Sequence, residues 1–202
     1  MVDLGDGNAI HFEGFAPSDP FSTPLLDSIQ FADGTAMSYE EVLDQGFDLD
    51  GTEDDDYLVG TAVTDRIDGK GGGDVILGGL GDDVITGGTE NDQVFGHDGR
   101  GTYVFNRGDG QDVFDDAPLE EDFSDASVLE LGEGIARTDL TFRLDAARNL
   151  LVDTGQGDTV AFASFSASNP ASTQVLGSIE FDGGSSMSYA DLLAQGFDLE
   201  GT

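Results

Sequence analysis

A nine-residue repeat between Gly51 and Val104 restricts the folds open to this chain more than any other feature. Written in nines, the segment reads GTEDDDYLV, GTAVTDRID, GKGGGDVIL, GGLGDDVIT, GGTENDQVF and GHDGRGTYV. Every block opens with glycine, position 6 is aspartate in the first five blocks, and position 8 is apolar or aromatic in all six. Such a repeat predicts a solenoid whose rungs each carry one tight glycine turn, one carboxylate and one buried side chain.

The period also predicts how neighbouring blocks meet. Two successive blocks are expected to form one coil, with positions 1–6 of each block in a bend and positions 7–9 in a short strand. Stacked coils lie about 4.8 Å apart, so the position-6 carboxylates of alternate blocks line up and repel one another. A hard divalent cation, which takes about six to eight oxygen ligands, relieves that repulsion and uses the carbonyl oxygens of the bends.

These blocks resemble the haemolysin-type, or repeats-in-toxin (RTX), calcium-binding nonapeptide Gly-Gly-x-Gly-x-Asp-x-apolar-x. The stretch from Tyr103 to Leu193 is similar to the region that commonly follows such repeats. The resemblance implies an all-β fold: a right-handed parallel β-roll loaded with calcium and flanked by hairpin-rich segments, each with one short helix. It also implies export through a type I secretion channel.

In the family, each ion takes the carbonyls of positions 2 and 4 and the aspartate of one coil, and the carbonyls of positions 1 and 3 and the aspartate of the next. About three to five ions are expected. The resemblance implies a first set of Thr52, Asp54, Asp56, Gly69, Gly71 and Asp74. The second set is Thr61, Val63, Asp65, Gly78, Leu80 and Asp83. The third set is Lys70, Gly72, Asp74, Gly87, Thr89 and Asp92. A fourth set would use Gly79, Gly81, Asp83, Gly96 and Asp98.

Some residues depart from the pattern. Gly101 replaces the aspartate of block six, so the fourth site is expected to be weak or altered. Val63 and Glu90 stand where position 4 prefers glycine, which predicts strained bends. Residues 107–115 read as a degenerate seventh block with Asp112 at position 6.

A second repeat has a much longer period. Residues 1–52 and 151–202 align without a gap at an offset of 150, and 26 of the 52 positions are identical. The predicted organisation is a tail of a preceding unit (1–50), a calcium-binding β-roll (51–115) and a β-rich flanking segment (116–202). The chain is therefore expected to be an excerpt from a longer tandem array whose units contact one another.

Within each copy of the long repeat, turn signals at 32–35 and 182–185 predict hairpins, and capping boxes at Ser38 and Ser188 predict short helices that end near Gly46 and Gly196. The acidic segment 115–125 is expected to be a loop. Further short strands are predicted at Leu129–Leu131, Leu140–Leu144, Leu150–Asp153 and Thr159–Ala163.

The side chains at positions 7 and 9 of the odd blocks are expected to point outward. We name this set the outer odd face: Tyr57, Val59, Val75, Leu77, Gln93 and Phe95. It is too apolar to be left in water, so a flanking hairpin or helix is expected to cover it, with contact between copies of the chain as the alternative.

The charge limits the partners. With 42 acidic and 7 basic residues, the net charge is −35, which argues against nucleic acid and anionic membranes. The chain has no cysteine, no apolar run long enough to span a membrane and no evident signal peptide. The two histidines, His11 and His97, have no nucleophile partner in sequence, so no catalytic site is predicted.

These features favour a calcium-binding module of a large secreted or cell-surface bacterial protein that folds on calcium binding outside the cell. Its partners would be calcium ions and neighbouring units of the same chain. One alternative is an extender or ligand-binding module of a bacterial adhesin, with an extracellular glycan or surface ligand as a further partner. The other alternative is the non-catalytic tail of an exported hydrolase.

Overall fold

A computed structural model describes residues 2–5, 8–10, 14–22, 24–115, 126–170 and 174–199. Its first elements are β1 (Val2–Gly5), β2 (Asn8–Ile10), β3 (Ser28–Gln30), β4 (Ala36–Ser38), α1 (Tyr39–Leu43) and β5 (Phe47–Asp50). The nonapeptide region and its continuation form β6 (Tyr57–Val59), β7 (Asp65–Asp68), β8 (Val75–Leu80), β9 (Val84–Thr86), β10 (Gln93–Asp98), β11 (Thr102–Phe105) and β12 (Gln111–Asp115). The remaining elements are β13 (Val128–Leu131), a 3₁₀ turn (Arg137–Asp139), β14 (Thr141–Leu144), β15 (Leu150–Gly155), β16 (Asp158–Phe162), β17 (Ser178–Phe181), β18 (Ser186–Ser188), α2 (Tyr189–Gln195) and β19 (Asp198–Leu199).

Two long sheets, rich in parallel strands, make up the fold. One has the order β19-β14-β15-β16-β12-β10-β8-β6, and the other has the order β18-β17-β13-β11-β9-β7-β5. We name the first the odd sheet, because β6, β8 and β10 come from blocks one, three and five, and the second the even sheet. From β5 to β13 the chain alternates between the two sheets, which is the path of a coil. The predicted all-β parallel β-roll is therefore confirmed.

The register follows the nine-residue period and then departs from it. In the odd sheet, Tyr57 lies opposite Val75 and Val75 opposite Gln93, each exactly two blocks further on. The next partner of Gln93 is Val113, which lies two positions later than the period predicts. In the even sheet, Thr102 lies opposite Val128, almost three blocks further on. The parallel pairing thus continues past the regular blocks with longer sequence separations between partner strands.

The position-8 side chains form the core of the roll, as predicted. Ile76 is 0% exposed, and its counterparts in the following blocks are equally enclosed. Burial of each such side chain contributes about 1.5–3 kcal/mol. Aromatic residues take over where the repeats end: the ring centroids of Tyr103 and Phe114 are 5.1 Å apart, and those of Phe114 and Phe162 are 5.7 Å apart.

Both copies of the long repeat contain the predicted hairpin and capped helix. Ser38 accepts from the backbone N–H of Glu41, and Ser188 accepts from that of Asp191, each within a complete capping box. Gly196 ends α2 with φ 78°. The four short strands predicted after residue 128 correspond to β13, β14, β15 and β16 within one or two residues. Most of the acidic loop expected at 115–125 lies outside the described residues.

The outer odd face is only partly covered. Tyr57 and Val59 are 67% and 52% exposed, so the prediction of a covering hairpin or helix is wrong for the first coil. Further along, Val75, Leu77 and Phe95 are half-buried. β6 is the last of the described strands in the odd sheet, so Tyr57 and Val59 have a neighbouring strand on one side only. No helix in the described ranges is long and apolar enough to cross a membrane.

Candidate metal centre

Aspartates of alternate blocks form a continuous column along the bends of the roll. The backbone N–H of Asp56 donates to Oδ1 of Asp74 at 2.8 Å, and the N–H of Asp74 donates to Oδ1 of Asp92 at 2.8 Å. The N–H of Asp92 donates in turn to Oδ1 of Asp112 at 3.0 Å. We name Asp56, Asp74, Asp92 and Asp112 the odd column. Asp112 therefore takes the place of the position-6 aspartate of a seventh block, although it lies 20 residues after Asp92.

A second column lies on the opposite bends and contains fewer carboxylates. The N–H of Asp65 donates to Oδ1 of Asp83 at 2.9 Å. One coil later, the N–H of Gly101 donates to Oγ of Ser127 at 3.1 Å. We name Asp65, Asp83, Gly101 and Ser127 the even column. Gly101 supplies no side-chain oxygen, and Ser127 replaces a carboxylate with a hydroxyl.

Two carboxylates of the odd column each bury an oxygen that the described residues leave without a hydrogen bond. Asp74 and Asp92 are both 1% exposed, and Oδ2 of each has no hydrogen-bond partner among those residues. Burial raises the pKa of Asp92 to about 6, with help from the charge of Asp74. Burial likewise raises the pKa of Asp74, with help from the charge of Asp56. A buried charge without a partner is costly, so these oxygens suit a cation.

Backbone carbonyls of the next coil lie beside these carboxylates. If Gly78 carried a Cβ atom, that atom would lie 2.6 Å from Oδ2 of Asp83 and 2.8 Å from the carbonyl oxygen of Gly96. A Cβ on Gly69 would overlap both Oδ2 of Asp74 and the carbonyl oxygen of Gly87. A carboxylate oxygen and a carbonyl oxygen from successive coils thus face the same small space. Such oxygens are the ligands that calcium prefers, and only glycine leaves them room.

The bends are of two kinds. In blocks three to five, positions 2 and 4 have positive φ, including Lys70 at 73° and Glu90 at 85°. The strain predicted for Glu90 is therefore present. Val63 is not among the described residues with positive φ, so the strain predicted there is wrong. The reason is Thr61, whose hydroxyl accepts the N–H of Val63 at 3.2 Å and closes a different turn.

Threonine also changes the first carboxylates of each column. Thr52 donates to Oδ2 of Asp56 through its N–H at 2.6 Å and its hydroxyl at 2.8 Å. The N–H of Thr61 donates to Oδ2 of Asp65 at 2.5 Å. Oδ2 of Asp56 and of Asp65 therefore already accepts hydrogen bonds from a nearby threonine. Oδ2 of Asp74 and of Asp92 has no such donor among the described residues.

The third predicted ligand set consequently has the most favourable surroundings. It is the set that pairs Asp74 with Asp92, and both of its bends have left-handed residues at positions 2 and 4. The ammonium group of Lys70 is directed to a different carboxylate, since it lies 3.5 Å from Oδ2 of Asp50. The first and second sets each combine one such bend with a threonine-closed bend. The fourth set lacks the block-six carboxylate at Gly101, as predicted from the sequence.

At the Asp112 end of the odd column, the structure shows contacts that the sequence did not predict. The hydroxyl of Tyr103 donates to Oδ2 of Asp112, and burial raises the pKa of Asp112 to about 7. Asp109 is also buried, and its Oδ2 accepts the N–H of Asn106 at 2.7 Å. The separation of 26 residues between Gly101 and Ser127 does not fit the nine-residue period, so no signal in the sequence indicated this contact.

The donor set consists mainly of backbone oxygens. Within the described ranges, no three His, Cys, Asp or Glu side chains come together in a way that could hold a metal. An ion between two coils would therefore be bound by two aspartates and several carbonyls. That composition fits calcium better than zinc, which favours nitrogen and sulfur ligands.

Comparison with known proteins gives one family match. A model of the RTX calcium-binding nonapeptide repeat, which spans four copies, matches residues 50–84 and, in an overlapping match, residues 68–103. No curated protein matches the chain. The matched range holds the first three aspartates of the odd column and both aspartates of the even column. Residues 50–103 are therefore a tract of RTX calcium-binding nonapeptide repeats.

Proposed function

We propose that this chain is a calcium-dependent folding module of a large bacterial protein that is secreted or displayed on the cell surface. The observation that carries the proposal is the pair of buried Oδ2 atoms on Asp74 and Asp92, inside the range that matches the RTX repeats. In a low-calcium cytosol these carboxylates would repel one another and keep the chain largely unfolded. That state suits passage through a type I secretion channel.

The proposed ligands are the three complete sets given above, with the third set binding most strongly. In each set the two aspartates supply charge, the carbonyls of positions 1 to 4 supply the other oxygens, and the position-1 glycine keeps the space open. Bound calcium would neutralise the paired carboxylates and complete the oxygen cage. The fourth set and the region around Asp109 and Asp112 bring the expected number to between three and five ions.

The energies are large enough for calcium to decide whether the roll folds. A site with a Kd of about 0.1 mM in about 10 mM calcium contributes about 2.7 kcal/mol. Three such sites contribute about 8 kcal/mol, which is comparable to the whole stability of an ordinary domain. The module has no catalytic role in this proposal.

Circular dichroism during a calcium titration, with magnesium as the control, tests the proposal. The expected result is a cooperative gain of β-structure with calcium and little change with magnesium, which prefers a smaller octahedral site. A chain that is fully folded in chelator would overturn the folding mechanism. Folding induced equally by magnesium would overturn the assignment of the ligand sets.

A second candidate function is that of an extender in a surface adhesin. The 150-residue repeat favours it, because 26 of 52 positions are identical between the two copies and similar units stack readily. Small-angle scattering of two joined units with calcium tests this candidate. A rod of constant cross-section supports it, and two freely hinged bodies contradict it.

A further inference from the structure

The two copies of the long repeat fold alike through their own local contacts. An aromatic pair has its ring centroids 5.2 Å apart in the first copy and 5.4 Å apart in the second. A tyrosine hydroxyl donates to a proline carbonyl at 2.9 Å in the first and 2.8 Å in the second. The residues are Phe15 with Phe47 and Tyr39 with Pro20 in one copy, and Phe165 with Phe197 and Tyr189 with Pro170 in the other.

The strand that ends each copy nevertheless has a different partner. We name this strand the junction strand: it is β5 in the first copy and β19 in the second. β5 pairs in parallel with β7 of the roll that follows it, with Asp48 opposite Arg66. β19 pairs in parallel with β14 of the unit that precedes it, with Asp198 opposite Arg143. Asp48 and Asp198 are the same position of the 150-residue repeat.

Each pairing uses one edge of a strand at the end of a sheet. β5 is the last strand of the even sheet, and β19 is the last strand of the odd sheet. The N–H groups of Phe47 and Gly51 donate to the carbonyls of Thr64 and Asp68 at 3.2 and 2.7 Å. Backbone groups of alternate residues face opposite edges of a strand, so those of Asp48 and Asp50 face away from β7. Among the described strands none pairs with that second edge, which can therefore take a further parallel strand.

The hairpins that precede the two junction strands also differ in their strand partners. Phe181 is 7% exposed because β17 pairs with β13, where Phe181 lies opposite Leu131. Its counterpart Phe31 is 44% exposed, and in the described residues β3 and β4 form a two-stranded sheet by themselves. The second copy thus shows what covers this hairpin: the roll of its own unit. In the first copy, no described strand pairs with the corresponding edge of β3.

We propose that the junction strand is shared between neighbouring 150-residue units. Its one edge pairs with β14 of the unit that it ends, and its other edge pairs with β7 of the unit that it begins. Because both pairings are parallel, one strand accommodates them together as an internal strand. The odd sheet of one unit then continues as the even sheet of the next, without a linker. This proposal concerns the contact between units and goes beyond calcium binding.

Hydrogen exchange gives the first test, on the 202-residue chain and on a two-unit protein in which residues 53–202 follow residue 202. In calcium, the single chain should protect the amides of Phe47 and Leu49 and leave those of Asp48 and Asp50 fast. In the two-unit protein, the amides of the internal junction strand should exchange at least about tenfold more slowly than the fast amides of the single chain, at both odd and even positions. Fast exchange at alternate positions there would overturn the proposal.

Distances between spin labels give the second test. The native chain has no cysteine, so two introduced cysteines can be labelled without background. Thr141→Cys in the first unit and the counterpart of Thr64→Cys in the second unit should lie at nearly the same register, two strand spacings or about 10 Å apart between backbones. A narrow, short distance distribution supports sharing, and a broad, long one overturns it.

The matched control inserts ten Gly and Ser residues after Leu199 of the two-unit protein. This insertion leaves β19 on the first unit and deprives the second unit of its junction strand, so the label distances should become long and broad. Circular dichroism with calcium verifies that both rolls are folded in each protein. Failure of calcium-dependent folding would count against the proposed function, whereas folded but separated units would count against strand sharing alone.

Discussion

At the scale of single residues, Asp74 is the aspartate that two of the three complete proposed ligand sets share. It faces Asp56 in the first proposed set and Asp92 in the third, whereas Asp56 belongs to the first set only. Asp74→Ala should therefore remove two ions and cost about 5 kcal/mol at saturating calcium, and Asp56→Ala should remove one and cost about 3 kcal/mol. Calorimetric titration counts the ions. An equal loss of ions in the two variants would contradict the pairing of coils.

The position-1 glycines offer a second test at this scale. A methyl group on Gly69 would overlap the carbonyl oxygen of Gly87 and Oδ2 of Asp74, so Gly69→Ala should destabilise the calcium-loaded protein by about 1–3 kcal/mol. Gly183→Ala is the control, since nothing lies within 4 Å of the added carbon and its φ is not positive. Thermal unfolding in calcium measures both. Equal melting temperatures would mean that the space beside Gly69 is not needed.

Individual residues also show how far the sequence could predict the site. The odd column from Asp56 to Asp92 follows from a constant spacing of two blocks, because every coil then repeats the same bend. Asp112 could be anticipated only as a degenerate block, since two residues are inserted before it. Ser127 could not be found, because its bend follows none of the repeating turn signals. The threonines at position 2 of blocks one and two did not indicate from sequence that the conformation of the bend would change.

At the scale of elements, the two hairpins provide a matched pair for mutagenesis. Phe181→Ala should cost about 3–5 kcal/mol, because the ring is 7% exposed between β13 and the hairpin. Phe31→Ala should cost well under about 1 kcal/mol in the 202-residue chain, because that ring is 44% exposed. Chemical denaturation in calcium gives both values.

In the two-unit protein, the same comparison has a further outcome. There the internal counterpart of Phe31 is Phe181, which packs against its own roll, so only Phe31 at the N-terminal copy should tolerate the change. Equal losses of stability on replacing Phe31 and Phe181 by alanine would show that β17 does not pack against β13.

The elements themselves were predictable where local chemistry determines them. Capping boxes at Ser38 and Ser188 begin the two helices, and Gly196 ends the second. Which strands pair with one another was harder to predict from the sequence. Near-identical residues in β5 and β19 pair with different strands, and only the neighbours in space decide which. The exposure of Tyr57 and Val59 was missed for the same reason, because cover depends on where the odd sheet ends.

At the scale of the whole molecule, the excess of acid makes folding without calcium depend on pH. The pKa of Asp92 is raised to about 6 and that of Asp112 to about 7, chiefly by burial. A raised pKa means that the folded state binds more protons than the unfolded state. The corresponding stability is complete below about pH 4 and is lost as the pH rises to about 7.

In chelator, the chain should therefore show more β-structure at about pH 5 than at about pH 7.5. In saturating calcium the order should reverse, because protons compete with the metal for carboxylates. Circular dichroism at both pH values measures the effect. Sedimentation checks for aggregation, since the isoelectric point is near 4.1. An acid-insensitive chelated chain would contradict the role assigned to the buried carboxylates.

Asp74 and Asp92, two proposed calcium ligands of the odd column, each use their two carboxylate oxygens differently. Oδ1 accepts a backbone N–H from the adjoining coil, which leaves Oδ2 for a cation. Stacking and metal binding are therefore separable within one side chain. An exchange of aspartate for asparagine keeps the acceptor and loses the charge, so a roll of this kind can give up ions one at a time while its coils persist. Ser127 has no charge but still accepts the N–H of Gly101, and the even sheet continues past it to β13.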